Sequence, residues 1–275
     1  NVVNWVHRQT RGWSYGQTIV DPRTGEILKG HVLLGSLRVR QDRMIFEGLV
    51  GSDKMGSGKV NDPIRASLAR IRQLSAHEIG HTLGFGHNMA ASTVLDKSSV
   101  MDYPAPDPSI DEDGQVTLEN VYSDGVGAWD LFTTRWLYSE IPADADETTF
   151  LDDIVTAGFN EGLRFVSDAH SRPVSAAHPF GSVWDNGEDP VAKLKEVMQI
   201  RRLALDRLGM NSISEGRPLT ELKNVLVPIY LFHRYQLASA VKSVGGVDYS
   251  YKRRGDNLPI MAIVSPEQQM RALNA

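Results

Sequence analysis

The first sixty residues carry their apolar side chains in short runs, which is the pattern of strands joined by turns. A brief apolar run covers residues 1–7, and two further candidate strands lie at residues 17–20 and 26–39. Between these two, Pro22 presets its φ angle and Gly25 can adopt a positive φ, so we expect a turn there. The pattern predicts a β-hairpin and gives no indication of a long helix before residue 60.

A helical pattern starts after this region. Asp62 can cap the N-terminus of a helix, and Pro63 suits the first helical position. Apolar residues then recur every three or four positions and form one face: Ile64, Leu68, Ile71 and Leu74. Gly84 is a natural end point because glycine tolerates the left-handed conformation. We predict a helix over residues 63–83.

The second half of the chain alternates irregular segments with helices. Residues 88–125 are rich in Ser, Asp, Pro and Gly, and residues 140–188 are mixed and loop-rich. Apolar periodicity predicts helices at residues 126–138, 190–208 and 219–244, the last with a kink at Pro228, and a further helix that begins at residue 268. The pattern as a whole predicts an α+β fold.

Composition excludes more functions than it identifies. The 275 residues are 41% hydrophobic, which is enough for a full core in one large domain or two smaller lobes. The net charge is −5 and the chain has no long run of charges of one sign, so we expect no nucleic-acid partner. The absence of cysteine excludes disulfides, thiolate metal sites and cysteine nucleophiles. No run reaches the roughly 18 apolar residues of a membrane-spanning helix.

The predicted helix ends in the sequence His-Glu-Ile-Gly-His-Thr-Leu-Gly-Phe-Gly-His, which starts at His77. Residues four apart share a helix face, so His77 and His81 can bind one ion together. Glu78 lies one step round the helix and can address a water molecule on that ion. His87 can reach the same ion only after the chain has turned, and Gly84 permits that turn.

Three histidine ligands leave the fourth position of a tetrahedral zinc ion open for water, as in catalytic zinc sites. A structural zinc site would close that position, most often with cysteine, and the chain has none. The pattern HExxHxxGxxH is much more specific than HExxH because it fixes five residues, each with its own physical role. We predict one catalytic Zn2+ bound by His77, His81 and His87, with Glu78 as the general base.

This segment resembles the metzincin clan of zinc endopeptidases. The clan has a methionine-containing turn below the zinc, and Met101 in Ser-Val-Met-Asp-Tyr matches it, fourteen residues after His87. The resemblance implies that Met101 forms a hydrophobic floor and is not a ligand. It also implies that Tyr103 can bind zinc or stabilise the transition state, although a tyrosine with a purely structural role fits equally well. Asp102 is a candidate for hydrogen bonds around the site.

Other stretches are similar to large bacterial zinc-dependent metalloproteases of the same clan: residues 21–28, 75–91, 99–104 and 184–187. The resemblance implies an extracytoplasmic protein, and the missing initiator Met leads us to expect a longer parent chain with flanking domains. It also implies a metzincin-like fold. We expect a small mixed sheet backed by the zinc helix in residues 1–87, a larger, mainly helical lobe with the Met-turn in residues 88–275, and an active-site cleft between them. One departure is that residues 1–60 show no long helix, which the clan usually has.

Several other residues are weaker candidates. Residues 111–114 resemble part of a calcium loop, but the later ligands are missing, so a solvated turn is favoured over a structural Ca2+ site. His233 is expected to be a hydrogen-bonded core residue, and His170 and His178 are expected at the surface. Residues 184–187 are interpreted as a turn. Three arginines are interpreted as the solvent-facing side of the zinc helix: Arg65, Arg70 and Arg72.

We predict a zinc-dependent endopeptidase that acts on a protein or peptide substrate. The extended substrate would add to an edge of the sheet, for which residues 29–35 are the best candidate. Two alternatives stay open. One is a non-catalytic binding module on a metalloprotease scaffold, which the intact Glu78 argues against. The other is a zinc hydrolase that acts on a non-peptide bond with the same chemistry.

Overall fold

The computed structural model describes residues 1–8, 13–95, 97–256 and 258–275. The chain forms an α+β fold with a small mixed sheet and several helices, as predicted. It divides into two compact units, each discontinuous in sequence. Unit 1 contains Asn1–Gly86, Pro106–Gly125 and Leu194–Arg234, and unit 2 contains His87–Ala105, Val126–Lys193 and Tyr235–Ala275.

The regular elements are distributed along the whole chain. The strands are β1 (Val2–Val6), β2 (Tyr15–Val20), β3 (Ile27–Gly35), β4 (Ser109–Ile110), β5 (Val116–Thr117), β6 (Val247–Tyr249) and β7 (Met261–Ile263). The helices are α1 (Leu37–Val50), α2 (Pro63–Thr82), α3 (Ala128–Tyr138), α4 (Glu147–Asn160), α5 (Asp168–Ser171), α6 (Pro190–Arg207), α7 (Leu222–Tyr230), α8 (Arg234–Val241) and α9 (Pro266–Leu273). None of the described helices has both the length and the apolar character needed to cross a membrane.

The main sheet of unit 1 has three strands in the order β1-β3-β2. β1 runs parallel to β3, and β2 runs antiparallel to it, which confirms the predicted hairpin. β3 is therefore the central strand. The prediction that residues 29–35 form a free edge for the substrate is wrong, because this strand pairs with a neighbour on both sides.

A helix within the first sixty residues corrects another expectation. α1 begins at Leu37, where the sequence pattern favours a continued strand. Two of its buried side chains are acidic: Asp42 is ion-paired with Arg38, and Glu47 is ion-paired with Arg43. Because charged residues occupy inward positions of α1, the apolar periodicity that identifies a helix is interrupted.

α2 is the predicted zinc helix, and both of its ends are confirmed. The side chain of Asp62 accepts a hydrogen bond from the backbone N–H of Ile64 at 2.9 Å, which caps the first turn. Gly84 follows the helix with a φ of +86°, the left-handed conformation that the sequence predicts. Arg70 on this helix is only 3% exposed and lies over the ring of Tyr122. Its interpretation as a solvent-facing residue is wrong.

The core of unit 1 forms between helices and the short β4–β5 hairpin. Its largest cluster combines apolar residues of several elements, including Phe46, Ala66, Val116, Ile200 and Ile229. The turn between β4 and β5 contains residues 111–114, which are exposed. The carboxylate of Asp111 accepts hydrogen bonds from the backbone N–H groups of Asp113 and Gln115, so this segment is a solvated turn.

The helices of the second half follow the prediction in part. α3 and α6 confirm the helices predicted at residues 126–138 and 190–208. The helix predicted over residues 219–244 is divided into α7 and α8, with a break that starts at Leu231, three residues after Pro228. Pro228 lacks a backbone N–H and crowds the preceding turn, which weakens the helix there. α4 lies in a segment that the sequence pattern leaves irregular.

Candidate metal centre

α2 presents His77 and His81 one turn apart near its C-terminal end. Their Nε2 atoms are 3.2 Å apart. Two nitrogen ligands that each lie 2.0–2.1 Å from a tetrahedral zinc ion would be separated by about 3.3 Å. The spacing of the two nitrogens therefore fits two ligands of one ion. His77 is buried at 2% exposure, whereas His81 is partly buried.

His87 follows α2 after the turn at Gly84. Each of His77, His81 and His87 offers one ring nitrogen to a group whose members all lie within 4.8 Å of one another. Within the part of the chain that the structure describes, no other three histidine, aspartate or glutamate side chains lie close enough to hold a metal ion. The structure brings the three predicted ligands together, and this donor set suits zinc.

The Nδ1 atoms of two of these histidines have oxygen partners. Nδ1 of His81 lies 2.8 Å from the backbone carbonyl oxygen of Phe85. Nδ1 of His87 lies 2.8 Å from Oδ2 of Asp168. Both partners accept hydrogen bonds, so each Nδ1 carries the ring proton and each Nε2 presents a lone pair to a metal. Histidines that bind zinc commonly donate their other ring N–H to a carboxylate or a backbone carbonyl in this way.

Asp168 is a site residue that the sequence analysis missed. It lies 81 residues after His87 and also forms an ion pair with Arg172. Burial alone would raise the pKa of Asp168, but the hydrogen bonds from Arg172 and His87 outweigh it and lower that pKa below its usual value. The carboxylate is therefore ionised at neutral pH. No local sequence pattern marks Asp168, because its role depends on a contact across the fold.

Glu78 is 4% exposed beside His77 on α2. Burial raises the pKa of Glu78 to about 7, while a hydrogen bond from the backbone of Gly16 and the charge of Arg70 act in the opposite direction. A carboxyl group with this pKa can both accept and release a proton near neutral pH.

Two glycines of the sheet allow α2 to lie close to it. A Cβ atom at Gly16 in β2 would be 1.9 Å from the carbonyl oxygen of Glu78. A Cβ atom at Gly30 in β3 would be 2.8 Å from Cβ of Thr82. Both distances are too short for any residue with a Cβ atom. Glycine at these two positions therefore lets α2 pack directly against the sheet. No sequence pattern marks these two glycines, because only the folded chain brings them against α2.

Met101 is 1% exposed in unit 2, and its carbonyl oxygen accepts a hydrogen bond from the backbone N–H of Asn88 at 3.1 Å. The turn around Met101 is held by the buried carboxylate of Asp130 in the first turn of α3. Three groups donate to this carboxylate: the hydroxyl of Ser99 at 2.5 Å, and the backbone N–H groups of Val100 at 3.0 Å and Gly127 at 2.8 Å. Asp130 is a further residue that the sequence analysis missed.

Tyr103 lies beside the third histidine. Its hydroxyl oxygen is 2.9 Å from Nε2 of His87, and the two ring centres are 4.8 Å apart. The other side of the tyrosine ring faces Trp184, whose ring centre is 5.4 Å away and whose backbone N–H donates to the carbonyl oxygen of Tyr103 at 2.7 Å. The guanidinium group of Arg172 lies 5.1 Å from the centre of the Tyr103 ring. This position is compatible with both roles predicted for Tyr103.

Two carboxyl groups are buried near the Met-turn segment. Asp102 is 1% exposed and accepts a hydrogen bond from the backbone N–H of Ser92 at 2.7 Å. Asp185 is fully buried and accepts one from the hydroxyl of Ser239 at 2.6 Å. Burial raises the pKa of Asp102 to about 7, with a further contribution from the charge of Asp185, and burial raises the pKa of Asp185 to about 6. Residues 184–187 therefore contribute to the interior and are more than a surface turn.

Among the described residues, the three weaker histidine candidates are not members of the group that could hold a metal ion. His178 is 1% exposed, and its Nε2 lies 3.1 Å from the carbonyl oxygen of Tyr249, so the prediction of a surface position is wrong. His170 is exposed, as predicted, and its Nδ1 lies 2.9 Å from the hydroxyl of Tyr251. His233 is partly buried in the break after α7.

Comparison with known proteins gives one positive result. Residues 59–275 match the model of a protein family described as Met-zincin. No curated protein and no solved structure matches the chain. The matched residues make up well over half of the chain and include the three histidines, Glu78 and Met101. The chain therefore belongs to the Met-zincin family.

Proposed function

We propose that this protein is a zinc-dependent endopeptidase in which His77, His81 and His87 hold one catalytic zinc ion. The observation that carries the proposal is the group of three histidine nitrogens within 4.8 Å of one another, with Glu78 next to the first of them. A bound zinc ion would polarise the scissile carbonyl and lower the pKa of a water molecule. Membership of the Met-zincin family supports metalloprotease activity.

In this proposal, Glu78 takes a proton from the attacking water and transfers it to the leaving amine. Its pKa of about 7, raised by burial, suits both steps near neutral pH. The hydroxyl of Tyr103 is the proposed second partner for the developing oxyanion, because it lies 2.9 Å from Nε2 of His87. Met101, which is 1% exposed, is proposed as the apolar floor of the site. An extracytoplasmic location stays a prediction.

The replacement Glu78→Gln tests the catalytic role directly. Glutamine keeps the size of the side chain but cannot accept the proton, so kcat/KM for a peptide substrate should fall by at least about 100-fold. Zinc content and melting temperature should stay at the wild-type values, since the ligands are unchanged. Undiminished hydrolysis by a zinc-loaded Glu78→Gln variant would overturn the mechanism.

Digestion of a peptide library with and without a chelator separates the proposal from its alternatives. Cleavage that the chelator abolishes and that added zinc restores supports the peptidase. Stoichiometric zinc binding without cleavage of any peptide would favour a binding module or a hydrolase of a non-peptide bond. The Glu78→Gln variant serves as the matched control, because it is expected to bind zinc but not to cleave.

A further inference from the structure

Four side chains of unit 2 form a closed ring of contacts around the third histidine. Oδ2 of Asp168 lies 2.8 Å from Nδ1 of His87, and Oδ1 of the same carboxylate is bound by Nε of Arg172. The guanidinium group of Arg172 also lies over the Tyr103 ring, 5.1 Å from its centre. The hydroxyl of Tyr103 completes the ring at 2.9 Å from Nε2 of His87. Both nitrogens of the His87 ring therefore have a defined neighbour.

The backbone that carries Asp168 is tied to the chain around His87. The amide side chain of Asn88 donates to the carbonyl oxygen of Arg164 at 2.8 Å and accepts from the N–H of Val166 at 3.1 Å. The N–H of Met89 donates to the carbonyl oxygen of Val166 at 2.8 Å. These three hydrogen bonds fix the segment just before α5 against the residues that follow His87. The Asp168 carboxylate is thus built into its position opposite the imidazole.

His81 and His87 differ in the backbone that carries them and in the acceptor that their Nδ1 atoms contact. His81 lies on α2, where the helix sets the direction of its side chain, and the weak acceptor of its Nδ1 is a backbone carbonyl. His87 lies on chain without regular structure, so no helix geometry fixes its ring. A carboxylate is the stronger acceptor, because charge-assisted hydrogen bonds are shorter and stronger than neutral ones. The stronger acceptor, the Asp168 carboxylate, therefore contacts the histidine whose ring orientation is not set by a helix.

We propose that Asp168 is a positioning residue that fixes the tautomer and ring orientation of His87 for metal binding, and that Arg172 holds Asp168 in place. This inference rests on the zinc site of the proposed function. It does not make Asp168 a catalytic residue, because the carboxylate acts through the histidine.

A purely structural role for Asp168 leads to a different expectation. The Asp168 and Arg172 side chains are 40% and 45% exposed, and ion pairs of this exposure contribute little to stability. Loss of such a pair alone would leave metal affinity unchanged. Loss of a partner that orients a ligand typically costs about 10- to 100-fold in metal affinity. Zinc affinity therefore distinguishes the two roles.

The chain offers a matched control for this test. Asp152 is also in unit 2, is 48% exposed and forms an ion pair with Arg253 at 2.6 Å. We expect Asp168→Ala to raise the dissociation constant for Zn2+ about 10- to 100-fold, measured by competition with a chromophoric chelator. Asp152→Ala should leave it within about twofold of wild type. Asp168→Asn keeps an acceptor oxygen for Nδ1 and should lie between wild type and Asp168→Ala.

A second readout reports on ligand geometry without any activity assay. With Co2+ in place of Zn2+, the visible absorption of Asp168→Ala should differ in intensity or position from that of wild type, while Asp152→Ala should match it. The metal-free forms of all three proteins should melt within about 3 °C of one another, since an exposed ion pair contributes little. If Asp168→Ala does not fold, Asp168→Asn carries the comparison.

The possible outcomes separate this inference from the proposed function. A zinc dissociation constant of Asp168→Ala within twofold of wild type, or an equal loss in Asp152→Ala, would overturn the positioning role. A wild-type chain that binds no zinc would overturn both proposals. A wild-type chain that binds zinc but cleaves no peptide would overturn the peptidase alone, and the dissociation constants would still decide the role of Asp168.

Discussion

The candidate residues fall into a helical half, on α2, and a loop half, around His87 and Met101. The two halves are built by different means. In unit 1, α2 carries His77, Glu78 and His81, and the helix alone sets their spacing. In unit 2, the third histidine and the Met-turn lie on chain without regular structure. Carboxylates from distant parts of the sequence hold them there: Asp168 contacts the histidine, and Asp130 holds the turn.

Backbone hydrogen bonding explains this difference. Inside a helix, each N–H finds its acceptor four residues earlier, so the side chains of α2 need no outside support for their backbone. In irregular buried chain, each N–H must find an acceptor elsewhere, because an unpaired one is costly. A carboxylate can accept several such donors at once, as Asp130 does for two backbone N–H groups and one hydroxyl. The loop half of the site should therefore be sensitive to residues far away in sequence.

The largest expected effect is on metal binding in the helical half. His81→Ala removes one of three ligands and should lose most of the bound zinc, measured by metal analysis after gel filtration. The fold of the metal-free protein should be retained, because α2 does not depend on the imidazole for its backbone hydrogen bonds. His170→Ala, at an exposed histidine outside the group, is the control. Full zinc occupancy in His81→Ala would contradict the ligand set.

The next largest effect is expected on stability, at the carboxylate that holds the Met-turn. Asp130→Ala leaves two backbone N–H groups and a hydroxyl without their buried acceptor, so the free energy of unfolding should fall by about 4 kcal/mol. Urea unfolding of the metal-free protein measures this change.

Asp130→Asn is the control for that experiment. One amide oxygen can still accept both N–H groups, so the loss should be only about 1 kcal/mol. Equal stability of Asp130→Ala and wild type would show that the Met-turn holds its shape without the distant carboxylate. The contrast between the two halves of the site would then fail.

A smaller effect is expected where the helical half does depend on a distant residue. Gly16→Ala would place a Cβ atom 1.9 Å from the carbonyl oxygen of Glu78, so strand and helix must separate. Overpacking of this kind costs about 2 to 3 kcal/mol, and kcat/KM should fall as Glu78 moves. Gly209→Ala is the control, since its Cβ would meet no atom closer than 4.0 Å. If both variants behave alike, the sheet does not set the position of α2.

Sequence patterns predicted those parts of the site whose geometry is local. The two histidines on α2, the turn at Gly84 and the cap at Asp62 follow from spacing along one helix. His87 was identified because the metzincin pattern fixes its distance from the helix, and Met101 because the resemblance implies a methionine-containing turn later in the chain. The glycines of the sheet and the carboxylates of Asp130 and Asp168 were missed, because only the folded chain brings them to the site. Helix α1 was missed for a different reason: charged residues occupy its buried positions and interrupt the apolar periodicity, although their ion-pair partners lie only four residues away on the same helix.

The smallest effect concerns the buried carboxyl groups of unit 2 and appears as a pH dependence. Asp185 has a pKa of about 6 in the folded protein, raised by burial from the ordinary value of 3.8. Between these values the folded state binds more protons than the unfolded state. The contribution of Asp185 to stability is therefore complete below about pH 4 and is lost as the pH rises through about 6. Asparagine at this position does not ionise.

The difference in unfolding free energy between Asp185→Asn and wild type should consequently shift in favour of the variant as the pH rises. We expect a change of about 1 to 2 kcal/mol between pH 5 and 8, measured on metal-free protein by urea unfolding. Asp146→Asn is the control with the opposite sign. The hydrogen bonds from Thr149 lower the pKa of Asp146, so its contribution is lost only on acidification, and its difference from wild type should be flat over the same range. A flat difference for Asp185→Asn as well would mean that the hydrogen bonds around Asp185 cancel the effect of burial on its pKa in the folded chain.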